Sequence, residues 1–315
     1  MNSKVSQLRK AKYGVGSEFR KIPNSTDSSV TSKFGSDPIF SVLQQQMTSN
    51  HPIGVFDSGI GGLSILKALR AELPHESFVY IADSGNAPYG EKGDAFVIDR
   101  SRALTRTLLD DYGIKALVVA CNTATAAAAK LLRAEFPDLP LVGVEPALKP
   151  AVQLSQTRKI GVMATRGTLE SAKFAALQAS LADQAEFILQ PCDGLAAAIE
   201  TQNTPKIIAL LATYTPAIGQ FGTRNGQIDT LVLGCTHYPF ISDLLRVHTG
   251  ADVHYIDTGE PVARQTRRLL EAAGTLNTSI DSGDLQLFTT GDLPSFAKLT
   301  KLWLNLPETA KISKI

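Results

Sequence analysis

Two pseudo-symmetric α/β domains, each a mostly parallel sheet flanked by helices, with the active site in the cleft between them, are the fold class this sequence predicts. Three observations predict it. From His51 onward, short apolar runs rich in β-branched residues alternate with longer segments of helical periodicity. That cadence runs through the chain twice. Two of the apolar runs end on a cysteine in matching settings, Leu117-Val118-Val119-Ala120-Cys121-Asn122-Thr123 and Leu231-Val232-Leu233-Gly234-Cys235-Thr236-His237. The expected division is an extension over 1–50, a first domain over 51–145 plus 257–315, and a second domain over 146–256.

The first series places strands at 53–56, 78–82, 116–120 and 141–144, with helices at 63–73, 94–112 and 123–136 between them. Gly113 is a fitting stop for the second helix, and the other two run into Pro74 and Pro137. The second series places strands at 160–164, 186–190, 229–233 and 253–256, with helices at 168–181 and 205–212. An amphipathic stretch over 261–273 returns to pack on the first domain. Near-continuous apolar strands separated by helices are the mark of parallel sheets covered on both faces.

The first fifty residues differ in kind. They hold ten serines, the tract Gln44-Gln45-Gln46, and seven Lys or Arg against Glu18, Asp27 and Asp37. Such a segment cannot bury enough apolar surface to form a core and reads as a disordered or regulatory extension. A basic, serine-rich, acid-poor leader also overlaps in composition with organelle transit peptides, whereas the continuous apolar region of a secretory signal is missing.

Composition narrows the function classes. The chain has 315 residues, 43% hydrophobic and 19% charged, with a formal net charge of +1. That balance implies no global attraction to nucleic acid or to an anionic membrane. No apolar stretch approaches the roughly 20 residues of a spanning helix. Three cysteines at distant positions do not resemble a disulfide framework and fit a reducing cytoplasm.

Chemistry is read at the carboxyl ends of the strands, where open α/β sheets bind ligands. Asp57-Ser58-Gly59-Ile60-Gly61-Gly62-Leu63-Ser64 is a glycine-rich turn entering a helix, without the spacing of a dinucleotide fingerprint. Its N–H groups suit an anion, carboxylate as well as phosphate. The alternative is a tight turn capped by Asp57. Asp83-Ser84-Gly85-Asn86-Ala87-Pro88-Tyr89-Gly90 is a second loop at the same edge, with a rigid proline beside a polar aromatic.

A lone cysteine at a strand end is more often an inert small hydrophobe than a catalyst. Here Asn122, Thr123, Thr236 and His237 stand beside the sulfurs, and a helix is expected to start directly after each. A helix N-terminus or an imidazolium lowers a thiol's pKa. Two thiols facing each other across one carbon would act as base and acid on opposite faces, which inverts a stereocentre. Removing an α-proton without a cofactor then calls for on the order of 10 kcal/mol or more of transition-state stabilisation. Asp57 and His237 are the natural assistants, one near each thiol. A metal is set aside, since Cys235, His237, His248 and His254 do not assemble a tetrahedral set from their spacing.

Six segments in order resemble the motif set of the glutamate racemases, from about Ile53 to Arg264. They are Phe56-Asp57-Ser58-Gly59-Ile60-Gly61-Gly62-Leu63-Ser64, Pro88-Tyr89-Gly90, Ala120-Cys121-Asn122-Thr123-Ala124-Thr125, Gly143-Val144-Glu145-Pro146-Ala147, Ala164-Thr165-Arg166-Gly167-Thr168 and Gly234-Cys235-Thr236-His237-Tyr238-Pro239. The resemblance implies cofactor-independent interconversion of L- and D-glutamate, supplying D-glutamate to bacterial peptidoglycan in the cytoplasm. It implies that Cys121 and Cys235 are the acid/base thiols, assisted by Asp57 and His237. It further implies substrate contacts from Asp57, Ser58, Pro88, Tyr89, Gly90, Asn122, Thr123, Thr236 and His237, with Thr165 and Thr168 as additions. The family's acidic residue on the second domain falls on Glu200, although this chain reads Pro191-Cys192-Asp193-Gly194 where the family has cysteine followed by proline. Cys192 itself reads as structural.

Partners follow from the same resemblance. Some proteobacterial relatives carry an N-terminal extension linked to activation by UDP-N-acetylmuramoyl-L-alanine, and gyrase binding has been suggested for some members. Both monomers and homodimers occur in the family. Competing readings are a two-cysteine racemase of aspartate or a hydantoin, a one-cysteine decarboxylase, or a binding protein. Retention of both Cys121 and Cys235 argues against the decarboxylase.

Overall fold

The computed structural model describes residues 49–306 and 310–315. The expectation of a disordered or regulatory extension therefore falls, but for its last two residues, outside the described residues. Strands are named β1 Ile53–Asp57, β2 Phe78–Ala82, β3 Ala116–Val119, β4 Leu141–Gly143, β5 Lys159–Ala164, β6 Glu186–Pro191, β7 Thr230–Gly234, β8 His254–Ile256, β9 Leu285–Thr289 and β10 Ile312–Lys314.

They form two parallel sheets, one in the order β10-β9-β2-β1-β3-β4 and the other in the order β6-β5-β7-β8. The winding β2-β1-β3-β4 of the first sheet is repeated by β6-β5-β7-β8 in the second. Each winding reverses direction beside its first strand, between β1 and β3 and between β5 and β7. Such a reversal opens a crevice at the carboxyl edge of the sheet, and the two cysteines follow β3 and β7.

Every residue of β1, β2, β3 and β7 is buried, which explains their continuous apolar sequence. Alternate residues of β1 serve opposite faces: Ile53 and Val55 join Leu63, Leu66 and Leu69 of helix Leu63–Glu72, whereas Phe56 joins Leu104, Leu108 and Leu132 on the other side. The helix Gly259–Ala273 returns to the first sheet through Val262, Ala263 and Leu270. At the opposite edge, the buried Lys115 ammonium lies 2.6 Å from Glu76 and donates to the Ser49 and Thr275 carbonyls, tying three chain segments together. Among the described residues no helix is long and apolar enough to cross a membrane.

Several elements differ from expectation. The single helix expected over 168–181 is two, Arg166–Leu169 and Ala172–Ala179, because the Ser171 hydroxyl accepts the Phe174 N–H and starts a new helix. Helix Thr204–Ile218 outruns its expected end at 212. Its Pro216 sits in the last turn, where the missing N–H costs one hydrogen bond. Helices Leu148–Leu154, Leu195–Glu200 and Leu293–Leu304 and strands β9 and β10 were not anticipated.

Candidate active site

Cys121 lies just beyond β3 and caps the helix Asn122–Glu135, its sulfur accepting the Ala124 N–H at 3.4 Å. Cys235 follows β7 differently. The chain makes a 3₁₀ turn over Tyr238–Ile241, with Pro239 in its first positions where no N–H is required, before helix Ser242–Thr249 begins. The expectation of a helix starting directly after each thiol thus holds for Cys121 and fails for Cys235. In place of a helix terminus, the Cys235 sulfur has the His237 Nδ1 at 3.7 Å.

Both sulfurs line one cavity between the sheets. Its wall is also made by Ser58, Pro88, Tyr89, Gly90, Asn122, Thr123, Thr165, Glu200, Thr236 and His237. Two expected residues stand one step behind it. Asp57 is fully buried beneath Ser58, and Thr168 supports the wall through a 2.9 Å hydrogen bond between its hydroxyl and that of Thr165. Ala87 and Ala196 line the cavity without having been anticipated. The cavity measures about 20 Å³, room for about one water molecule, so the cleft is closed.

A chain of polar groups serves each thiol. On the first side, the Cys121 thiol donates to the Ser58 hydroxyl at 3.6 Å, and Ser58 donates to Asp57 at 3.4 Å. On the second, Glu200 accepts the His237 Nε2 at 2.7 Å while the other ring nitrogen faces Cys235. Glu200 stands at the end of helix Leu195–Glu200, and its carboxylate also takes the Ile60 N–H at 2.9 Å and the Ser84 hydroxyl at 2.6 Å. Ile60 and Ser84 belong to the first sheet's loops, so these bonds cross the cleft.

The glycine-rich turn therefore does hold carboxylates, but they are the protein's own. Gly62 N–H donates to Asp57 at 2.6 Å, and Ile60 N–H donates to Glu200. The turn must be glycine for this docking: a Cβ on Gly59 would come 2.3 Å from Glu200, and one on Gly61 2.3 Å from His237.

The electrostatics differ on the two sides. Burial, with the nearby Glu200 charge, raises Asp57 to about 6, against the pull of His237. Burial and the Asp57 carboxylate push the Cys121 thiol far above its ordinary value, which reverses the lowering expected from a helix N-terminus. For His237, burial opposes the charged ring, but its hydrogen bonds to Cys235 and Glu200 win and hold it well above the usual imidazole range. The ring is thus held as an imidazolium 3.7 Å from the Cys235 sulfur, while Cys121 is kept as a thiol.

Asn122 is buried, and among the described residues both of its side-chain polar atoms lack hydrogen-bond partners. Cys192 is buried behind the second sheet's strands and donates to the Gln190 carbonyl at 3.3 Å. No group of three His, Cys, Asp or Glu among the described residues is placed to hold a metal ion.

Ser84, whose hydroxyl donates to Glu200, stands at the site although reading the sequence missed it. A signal was present, since Asp83-Ser84-Gly85 after β2 repeats Asp57-Ser58-Gly59 after the neighbouring β1.

Two parallel sheets with helices on their faces and a cleft between them define an α/β class shared with known racemases. The sequence model of the Asp/Glu/Hydantoin racemase family matches residues 63–266. A glutamate racemase from Methylococcus capsulatus is 47% identical over 262 residues, covering 82% of this chain and 94% of its own length. Another from Pseudomonas syringae pv. tomato is 47% identical over 251 residues, covering 79% and 88%. Among solved structures, a glutamate racemase from Bacillus anthracis superposes with a TM-score of 0.73 at 30% identity, covering 85% of this chain and 97% of its own. The Escherichia coli glutamate racemase, solved with L-glutamate and the activator UDP-MurNAc-ala, gives a TM-score of 0.70 at 28% identity, covering 84% and 98%. The chain belongs to the Asp/Glu/Hydantoin racemase family, and within it to the glutamate racemases, which are isomerases.

Proposed function

We propose that the protein interconverts L- and D-glutamate without a cofactor, Cys121 and Cys235 acting from opposite faces of the α-carbon, and that it supplies D-glutamate for peptidoglycan in the bacterial cytoplasm. The observation that carries this reading is the single cavity shared by both sulfurs. One thiolate removes the α-proton and the opposite thiol returns another, the roles exchanging with the hand of the substrate. His237, oriented by Glu200, serves Cys235, and Asp57 serves Cys121 through Ser58. The unpartnered Asn122 amide, with Thr123, Thr165, Thr236 and the Tyr89-Gly90 loop, is assigned to the substrate's polar groups. The domains are taken as 51–145 plus 257–315 and 146–256.

Purified protein incubated with D-glutamate in heavy water is expected to yield L-glutamate carrying deuterium at the α-carbon, read by optical rotation and mass. Absence of exchange without added cofactor rejects the proposal. Replacing either Cys121 or Cys235 by serine is expected to lower kcat by about 10²–10⁴-fold, the usual contribution of a positioned acid or base.

The activator bound to the Escherichia coli relative supports a second proposal, that UDP-N-acetylmuramoyl-L-alanine activates this chain through residues 1–50. Rates are compared with and without the nucleotide, on the full chain and on a version beginning near Asn50. Activation of the full chain alone is expected, and equal rates in all four assays reject it.

A further inference from the structure

Ser58 and Ser84 are the central residues of two Asp-Ser-Gly triplets at the carboxyl ends of the adjacent parallel strands β1 and β2. Ser58 touches Cys121 directly. Ser84 points instead across the cleft, its hydroxyl donating to the Glu200 Oε1 at 2.6 Å, while the Glu200 Oε2 accepts from His237 and His237 faces Cys235. We propose that Ser84 is a positioning residue for the Cys235 half of the reaction, aiming His237 at that sulfur through Glu200 and leaving proton transfer at Cys121 unaffected. The proposal rests on the two-thiol reading above.

Ser84 is held firmly enough for this task. The preceding Asp83 is fully buried, and its carboxylate gathers Tyr89 Oη at 2.6 Å, Arg100 Nη2 at 2.8 Å and Nε at 2.9 Å, Thr290 Oγ1 at 2.8 Å and Asn86 Nδ2 at 3.0 Å. Behind the serine, Gly291 approaches so closely that a Cβ there would stand 2.8 Å from the Ser84 Cβ. The turn therefore cannot drift away from Glu200. Without the hydroxyl, Glu200 Oε1 keeps only the longer contact with the Ile60 N–H at 3.2 Å. The carboxylate plane is then free to turn about the Oε2 contacts, and the imidazole turns with it. A hydrogen bond to a charged group of this kind is worth about tenfold in rate.

The test uses Ser84→Ala and Ser84→Thr in the full chain, with both hands of glutamate deuterated at the α-carbon. Because the two hands are equal in energy, kcat/KM must fall by the same factor in both directions, about tenfold for Ser84→Ala. The isotope effect separates the thiols. With Ser84→Ala it is expected to rise for the hand whose α-deuteron leaves to Cys235 and to fall toward unity for the other hand, where reprotonation by Cys235 has become the slow step. Ser84→Thr, which keeps the hydroxyl, is expected to retain the wild-type isotope pattern. The isotope ratio is independent of how much enzyme is folded, so loss of folded protein cannot mimic it. Isotope effects that change alike for both hands, or do not change, overturn the role of Ser84 while the two-thiol reading stands. Failure of the wild-type chain to exchange its substrate's α-proton overturns both.

Discussion

Asp57 holds its proton more tightly in the folded chain than in the unfolded one, with a pKa raised from 3.8 to about 6 chiefly by burial. The sign follows from linkage. Stability from this group is complete below 3.8 and is lost as pH rises through about 6, because ionising a buried carboxylate opposes folding. The shift corresponds to about 3 kcal/mol. Unfolding by urea across that interval is expected to show the wild-type chain losing about this much stability relative to Asp57→Asn, which has no proton to lose. A constant difference between the two proteins from pH 3.8 to above 6 would exclude a raised pKa. The residue scale is also where the sequence was most legible. Cys121, Cys235, Ser58, Asn122, Thr123, Thr236 and His237 could all be located at strand ends from local pattern, whereas Tyr89 came from the family resemblance, and all of them share one cavity wall.

The turn after β1 shows how an element can be recognised while its role is misread. Its glycines and its place before a helix announce an anion site. What fills the site is Glu200, from a helix 140 residues away in sequence. No local pattern reports such a partner. The tight approach of Gly61 to His237 makes a direct prediction: Gly61→Ala forces His237 and Thr236 to move, since a Cβ there would lie 2.3 Å from the ring and 2.6 Å from the Thr236 hydroxyl. A misplacement of that size is expected to cost about 10²-fold in kcat/KM. Thermal melting is expected to change little, because neither sheet's apolar layers are touched. Wild-type turnover by Gly61→Ala would show that the turn does not dock on the imidazole during catalysis. Other elements escaped notice for plainer reasons. Helices Leu148–Leu154 and Leu195–Glu200 are too short to express a helical period, and β10 is a short edge strand with an exposed end.

At the scale of the whole molecule, the closed cleft sets a requirement. A cavity of about 20 Å³ cannot admit an amino acid, so glutamate enters only when the sheets part. The bonds that must break are those crossing the cleft: Ile60 and Ser84 to Glu200, Ser64 to the Thr236 carbonyl at 2.9 Å, and Thr123 to Thr165 at 3.2 Å. Exchange of the Ile60 amide with solvent therefore reports opening. Saturating glutamate is expected to slow exchange at Ile60 while leaving Leu66, inside its own helix, unchanged. Equal slowing at both positions would indicate general stabilisation rather than closure.

What the sequence determined by itself is everything that depends on neighbours along the chain: buried parallel strands from unbroken apolar runs, thiols at the strand ends, and the order of motifs that marks a racemase. Only the tertiary structure decided which carboxylate fills the glycine-rich turn, why Cys121 and Cys235 have unlike surroundings, and how Ser84 reaches the second thiol. The physical reason is distance along the chain. Strand periodicity and capping act over a few residues, whereas the Ser84–Glu200 and Ile60–Glu200 bonds join groups 116 and 140 residues apart, and they exist only once two independently wound sheets have closed on each other.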